Sequence, residues 1–182
     1  MSIQILNMNN NSIENIEFIT SRKSVRKFVH EEISKETLEN ILECGRWAPS
    51  GLNNQPWHVC IVQSPSIKTM VAEATKYGEI VESAYYDLVV FLDLEKGYNR
   101  IKDIQAMGAF MENILLGVHA MGLGAVWIGE ILNNGEKVNE IFKLSEDKYE
   151  LMGVIAIGAI DETVEKQKES ERERRPLEDF TE

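Results

Sequence analysis

Apolar residues recur along this chain with two periods that alternate. Residues 12–21 carry Ile13, Ile16, Phe18 and Ile19 behind Ser12, which predicts a short N-capped helix. Ser34 opens a second, with Glu36 and Thr37 in its first turns and Leu38, Ile41, Leu42 and Gly45 at helical spacing until residues 47–49. The period then shortens. Residues 57–63 predict a strand, stopped by Ser64 and Pro65. Helices follow at 66–76 and 79–84, then a nearly continuous apolar strand at 85–93, a pattern expected where both faces of a sheet are covered. Residues 100–121 predict the longest helix. Its Ile104, Met107, Phe110, Met111, Ile114, Leu115 and Val118 leave little polar face, so it should be largely buried. A strand at 123–128, a helix at 134–142 and a strand at 151–160 complete the regular elements. Helices alternate with strands, which argues an α+β or mixed α/β three-layer domain without internal repeat or interdomain linker.

Charge and composition narrow this little. The 182 residues suffice for one domain with a sizeable core, so the chain is read as one domain over 1–182. Residues 1–11 form a polar tail, and residues 161–182 are too charged and apolar-poor to build a core. A net charge of −11 works against broad attraction to nucleic acid or an anionic membrane surface. The uncharged run at 113–129 is short for a membrane span and contains Asn113, His119 and several glycines. No leader segment is apparent. Cys44 and Cys60 form neither a disulfide framework nor a CxxC, which fits a reducing, cytoplasmic setting.

The connection at 46–57 stands apart from ordinary solvent loops. It holds Trp47, Pro49, Gly51, Asn53, Asn54, Gln55, Pro56 and Trp57. Proline, glycine and asparagine fix backbone shape, amides offer paired donors and acceptors, and tryptophans supply large surface. Such a loop suits a flat molecule with polar edges. Two basic stretches lie elsewhere, Arg22, Lys23, Ser24 and Arg26 near the start and Arg172, Arg174 and Arg175 near the end. Each reads alone as solvated surface charge or as an anion pocket, since arginine presents a planar fork to phosphate.

Other candidates carry less. Residues 122–129 are glycine-rich, but the glycines follow a helix and precede a strand, the reverse of a dinucleotide fingerprint. Gly122 reads as a helix-ending turn, and Gly129 as a strand end where backbone could approach a ligand. His30, His58 and His119 lack metal-ligand spacing and read as structural. No nucleophile elbow or phosphate-binding loop occurs. With no residue committed to acid–base or nucleophilic work, a bound cofactor with its own chemistry fits best.

Residues 21–28 (SRKSVRKF) followed by 48–57 (APSGLNNQPW) resemble the flavin-dependent nitroreductase family. Residues 121–129 (MGLGAVWIG) are similar to its glycine-rich segment beside the flavin, and 172–178 (RERRPLE) to its C-terminal phosphate-contacting motif. The four stretches fall in the family's order. The resemblance implies an α+β protein, a three-layer α/β/α sandwich with a mainly antiparallel mixed sheet around a long buried central helix, assembled as an intertwined homodimer. It implies FMN as cofactor and NADH or NADPH as co-substrate. The activity implied is ping-pong transfer to a small-molecule electron acceptor, typically a nitroaromatic or a quinone, with no protein residue as catalyst. By position, Arg22, Lys23, Ser24 and Arg26 would hold the phosphate and ribityl chain, with Arg172 and Arg174 completing the phosphate site. Pro49, Ser50, Gly51 and Asn53 would line the ring from the partner subunit, and Trp127, Ile128 and Gly129 from the first. The terminal segment 161–182 would reach the partner.

The chain departs from the pattern at two places. Arg172 stands where relatives often carry lysine, and residues 94–99 are a short connection where many relatives place more chain over the pocket. The short connection keeps two other readings open: a flavin-binding storage or regulatory protein, and a reduced-FMN enzyme of other specificity, such as dehalogenation or flavin cleavage.

Overall fold

The computed structural model describes residues 10–161, 163 and 173–181. Residues 1–9 of the polar tail, most of residues 162–172 including Arg172, and residue 182 lie outside the described residues, while Asn10 and Asn11 belong to the first helix. Among the described residues the α-helices and strands follow in the order α1 (Asn10–Ser21), β1 (Phe28–Val29), α2 (Lys35–Arg46), β2 (Trp57–Val62), α3 (Pro65–Ala72), α4 (Gly78–Ser83), β3 (Tyr86–Asp93), α5 (Arg100–Ala120), β4 (Gly124–Ile128), α6 (Gly135–Phe142) and β5 (Tyr149–Ile160).

β5 is the hub of the sheet. It pairs with β3, which in turn pairs with β2; β4 runs along its opposite edge, and β1 pairs with its last residues. All strand pairs are antiparallel, and the sole parallel contact among the described residues is a bridge between Ser24 and Ala125. The β3–β5 register slips between Val90 and Phe91, opposite Gly153 and Leu151, and Gly153 has φ 146°. That bulge bends β5 where β4 runs along its other side.

The twofold period of the strands sends alternate residues to two cores. Leu88, Val90 and Leu92 of β3 and Ile155 and Ile157 of β5 pack with Leu38 and Ile41 of α2 and Met107, Phe110, Ile114 and Val118 of α5. Val89 and Phe91, with Val126, Ile128, Val154 and Ala156, pack with Val71 of α3, Val81 of α4 and Val138 of α6. The sheet thus lies between α2 with α5 and α3, α4 with α6, the expected three-layer arrangement. Both faces being covered accounts for the unbroken apolar run of β3.

α5 begins under a cap in which the Asn99 side chain accepts from Lys102 N–H at 3.2 Å, and it ends where Gly122, at φ 71°, turns the chain into β4. Ser34 caps α2 by accepting from Thr37 N–H at 3.1 Å. β2 stops at Val62, just before Ser64 and Pro65 as expected, and Pro65 is also the first residue of α3, where its missing N–H and fixed φ suit a helix start. β1 was not anticipated, because two residues carry no periodicity and its existence depends on pairing Phe28 with Ile160.

One polar pair interrupts the second core. Lys68 Nζ lies 3.2 Å from Asp87 Oδ2 and also donates to the carbonyls of Val81 and Ala84. Asp87 is fully buried and its Oδ1 meets no donor. Burial pushes its carboxyl up to about 7 against the opposing pull of Lys68.

Candidate functional site

Residues 22–26 cross the edge of β4. Val25 N–H donates to Ala125 O at 2.9 Å, and this bond fixes the basic stretch against the strand that carries Trp127. The crossing divides its side chains. Arg22 and Lys23 line a small cleft of about 70 Å3 on the α5 side, with Leu115, His119 and Ala125. Arg22 Nε sits 3.5 Å from the Glu112 carboxylate of α5. Arg26 lines a separate cavity of about 140 Å3 with Tyr77, Ile80, Trp127, Ile128 and Gly129. Arg26 Nη1 donates to Ser24 O at 3.3 Å, which draws it back along its own segment. So the fold brings Arg26 to residues 127–129, while Arg22 and Lys23 open on another side.

Trp127 is held by a glycine. A β-carbon on Gly153 would lie 2.6 Å from Trp127 Nε1, so the indole packs on bare β5 backbone at the bulge. Around Gly129 a β-carbon would meet no atom within 4 Å, leaving its backbone open to a ligand.

The loop after α2 is shaped by side-chain bonds and by unusual backbone. Glu43 accepts from Arg46 Nε at 2.6 Å and from Trp47 Nε1 at 2.7 Å. The Arg46 guanidinium and then the Trp47 indole hold the Glu43 carboxyl down at about 2. Leu52, Asn53 and Gln55 adopt φ of 54°, 56° and 47°, a region that non-glycine residues occupy only when their surroundings enforce it. Ser50 Oγ helps enforce it by accepting from Gln55 N–H at 3.0 Å. Asn54 does the rest, donating to Lys96 O at 3.0 Å and to Asp103 Oδ1 at 2.8 Å. Asp103 Oδ2 accepts from the N–H groups of Tyr98 and Asn99, each at 2.9 Å. One buried carboxylate therefore ties the loop, the β3–α5 connection and α5 together.

Pro49, Ser50 and Gly51 line an open cavity of about 300 Å3 with Tyr98, Lys102 and Gln105. Asn53 is exposed nearby in sequence. This cavity shares no residue with those of Arg22 and Arg26. Arg174 is exposed, and its Nη1 donates to the neighbouring Glu173 O at 3.0 Å. It lines none of these three cavities, and Arg172 lies outside the described residues. Sequence reasoning missed Tyr98, Lys102, Gln105 and Asp103. Asp103 had a legible signal, four residues after an Asn in N-cap position; the others did not. Among the described residues there is no cluster that could hold a metal, and no helix is long and apolar enough to cross a membrane.

Comparison with known proteins agrees with this architecture. A family model, the Nitroreductase family, matches residues 19–84 and 71–159. A Methanothermobacter thermautotrophicus protein named as an NADH dehydrogenase/NAD(P)H nitroreductase is 31% identical over 137 residues, covering 72% of this chain and 70% of its own. The NADPH-flavin oxidoreductase of Vibrio harveyi is 29% identical over 151 residues, 76% of this chain and 63% of its own. In the crystal structure of a Desulfovibrio desulfuricans protein named as a nitroreductase, in complex with FMN, 38% of residues are identical. That structure superposes with a TM-score of 0.85 and covers 91% of this chain and 94% of its own. Family model, relatives and fold converge, and the chain belongs to the nitroreductase family.

Proposed function

We propose that this protein is an FMN-dependent NAD(P)H oxidoreductase that delivers electrons to a nitroaromatic, a quinone or a similar small acceptor. The observation that carries the reading is the Val25 N–H to Ala125 O bond, which docks a stretch with two guanidiniums, an ammonium and a hydroxyl beside the strand bearing residues 127–129. An FMN phosphate is costly to bury without cations, and this donor set answers that need. The open backbone at Gly129 suits the polar edge of a flat ring. The donor types suit the cofactor; Arg22 and Lys23 approach from the α5 side of β4 and Arg26 from the side of residues 127–129, so they would hold different parts of it.

In this reading Arg22, Lys23, Ser24 and Arg26 bind the phosphate and ribityl chain, joined by Arg172 and Arg174. Trp127, Ile128 and Gly129 lie along the ring. Bound FMN supplies the hydride chemistry that the chain lacks. For a quinone the balance is NAD(P)H + quinone + H+ → NAD(P)+ + hydroquinone, and the proton comes from water. The protein's part is to position the two substrates in turn and to exclude competing reactions.

A second copy completes the site. Among the described residues, the cavity lined by Pro49, Ser50 and Gly51 shares no residue with those of Arg22 and Arg26, and Asn53 follows in the same loop. Trp47 is 75% exposed, Leu52 84% and Ile101 71%, an apolar set that water covers poorly and that a homodimer would bury. The whole chain, 1–182, would form one FMN-binding domain whose terminal segment reaches the partner. The free thiols of Cys44 and Cys60 suit a cytoplasmic location.

Purified protein loaded with FMN should bleach at the flavin bands on anaerobic addition of NADH or NADPH and recover with a quinone. A colourless preparation that takes up no added FMN would overturn the reading.

A further inference from the structure

We propose that Tyr98 and Lys102 form an acceptor-selecting wall beside residues 49–51, one that favours a flat aromatic acceptor carrying an anionic substituent such as a carboxylate. The inference rests on the flavin reading above, which places residues 49–51 against a flavin ring.

The connection between β3 and α5 is only six residues long, 94–99, and it delivers Tyr98 straight onto the loop. A β-carbon on Gly51 would fall within the Tyr98 phenol, among Oη, Cε1 and Cζ, so the ring rests directly on the glycine. Tyr98 nevertheless remains 44% exposed, and it lines the cavity of about 300 Å3. An aromatic wall that is packed on one side and open on the other can stack against a flat acceptor.

The charge beside it is selective. Lys102 Nζ lies 5.3 Å from the Tyr98 ring centroid and lines the same cavity, with the Gln105 amide one turn further along α5. Neighbouring charges are engaged elsewhere. Arg100 pairs with Glu150 at 2.6 Å, and Lys96 with Asp93 at 3.9 Å. The Asp103 carboxylate is buried and accepts from Asn54, Tyr98 and Asn99, so its charge is turned inward. Among the described residues that line this cavity, Lys102 is the cation that meets an entering ligand. The other large enclosed cation does not compete for that role. Lys68, at the base of a cavity of about 370 Å3 with His30 and Glu82, spends its ammonium on Asp87 and the carbonyls of Val81 and Ala84.

Two probes of like shape separate charge from stacking: 4-nitrobenzoate and 4-nitrobenzyl alcohol. Their dissociation constants from the FMN-loaded protein are read from the perturbed flavin absorption and from ligand line broadening. The wild type should bind the carboxylate about three- to fivefold more tightly than the alcohol, as an exposed cation allows. Lys102→Met should abolish that preference, as should salt of about 1 M. Tyr98→Ala should weaken both probes by a similar factor. An equal effect of Lys102→Met on the two probes, no effect on either, or unchanged affinities in Tyr98→Ala would overturn the proposal. A wild type that takes up no FMN would overturn the flavin reading and this one together. A wild type that loads FMN and is reduced by NAD(P)H yet shows no charge preference overturns this one alone.

Discussion

Asn54 Nδ2 donates to Asp103 Oδ1 across 2.8 Å, joining a loop residue to the first turn of the longest helix. The bond spans 49 positions of sequence and is the point where three segments meet, because Asp103 also accepts from the Tyr98 and Asn99 N–H groups. A carboxylate is suited to this place: it accepts only, and it offers enough lone pairs for three donors.

Asp103→Ala should therefore cost more than a surface change. It leaves three donors without their acceptor in a nearly closed setting, a loss of about 2–4 kcal/mol. Asn54→Ala removes both bonds that its amide donates, to Lys96 O and to Asp103 Oδ1, and should cost about 1–2 kcal/mol. Urea denaturation of both variants and of the double variant gives the coupling energy. Additive losses would show that the Asn54–Asp103 bond contributes nothing to the fold.

Gly153→Ala should displace Trp127. The substitution forces a β-carbon into a φ of 146° and within 2.6 Å of the indole nitrogen. The expected cost is about 1–3 kcal/mol. The indole, pushed outward, should shift its fluorescence emission to longer wavelength. Emission and stability equal to wild type would mean that β5 can bend away at the bulge without moving Trp127.

The Lys68–Asp87 pair predicts a pH dependence of stability. Asp87 is raised from 3.8 to about 7, first by burial and despite the pull of Lys68. The fold thus binds this proton more tightly than the unfolded chain does. Its contribution is complete below the unfolded value, declines as pH rises through the window up to about 7, and is level above it. Asp87→Asn should remove that decline, measured as the difference in stability between variant and wild type at pH 4 to 8. Lys68→Met alone should be more destabilising than Lys68→Met with Asp87→Leu, because the double change leaves no buried carboxyl without its partner.

Arg22→Ala tests the phosphate assignment. Losing a charge-assisted contact should weaken FMN binding about tenfold to a hundredfold. Melting of the cofactor-free protein should change little, since the Glu112 contact at 3.5 Å is partly exposed and salt-screened. Titration of FMN against both proteins decides it; equal affinities would show that the phosphate binds elsewhere.

Much of the architecture was legible because it depends on local period. The apolar run that became β3, the Ser34 cap of α2 and the length of α5 are each set by neighbours within a few residues, and the structure kept them to within a residue or two at most ends. Ser64 and Pro65 did end the strand, which stops at Val62, and Pro65 also opens α3 one residue before the expected start, because its fixed φ and missing N–H suit a first helical position. β1 was illegible, since two residues become a strand only when β5 is already beside them.

Residue type and local spacing are enough to give the ingredients of the candidate site: an amide-rich loop, a basic stretch and a glycine-rich strand end. How these are shared out depends on contacts between distant segments. The Val25–Ala125 bond splits Arg22 and Lys23 from Arg26 across β4, and the Asn54–Asp103 bond lays the loop against Tyr98 and Lys102, away from both. Those placements come from contacts between residues 49 to 100 positions apart. Their formation depends on the whole sheet and on α5 being in place, which no local pattern encodes.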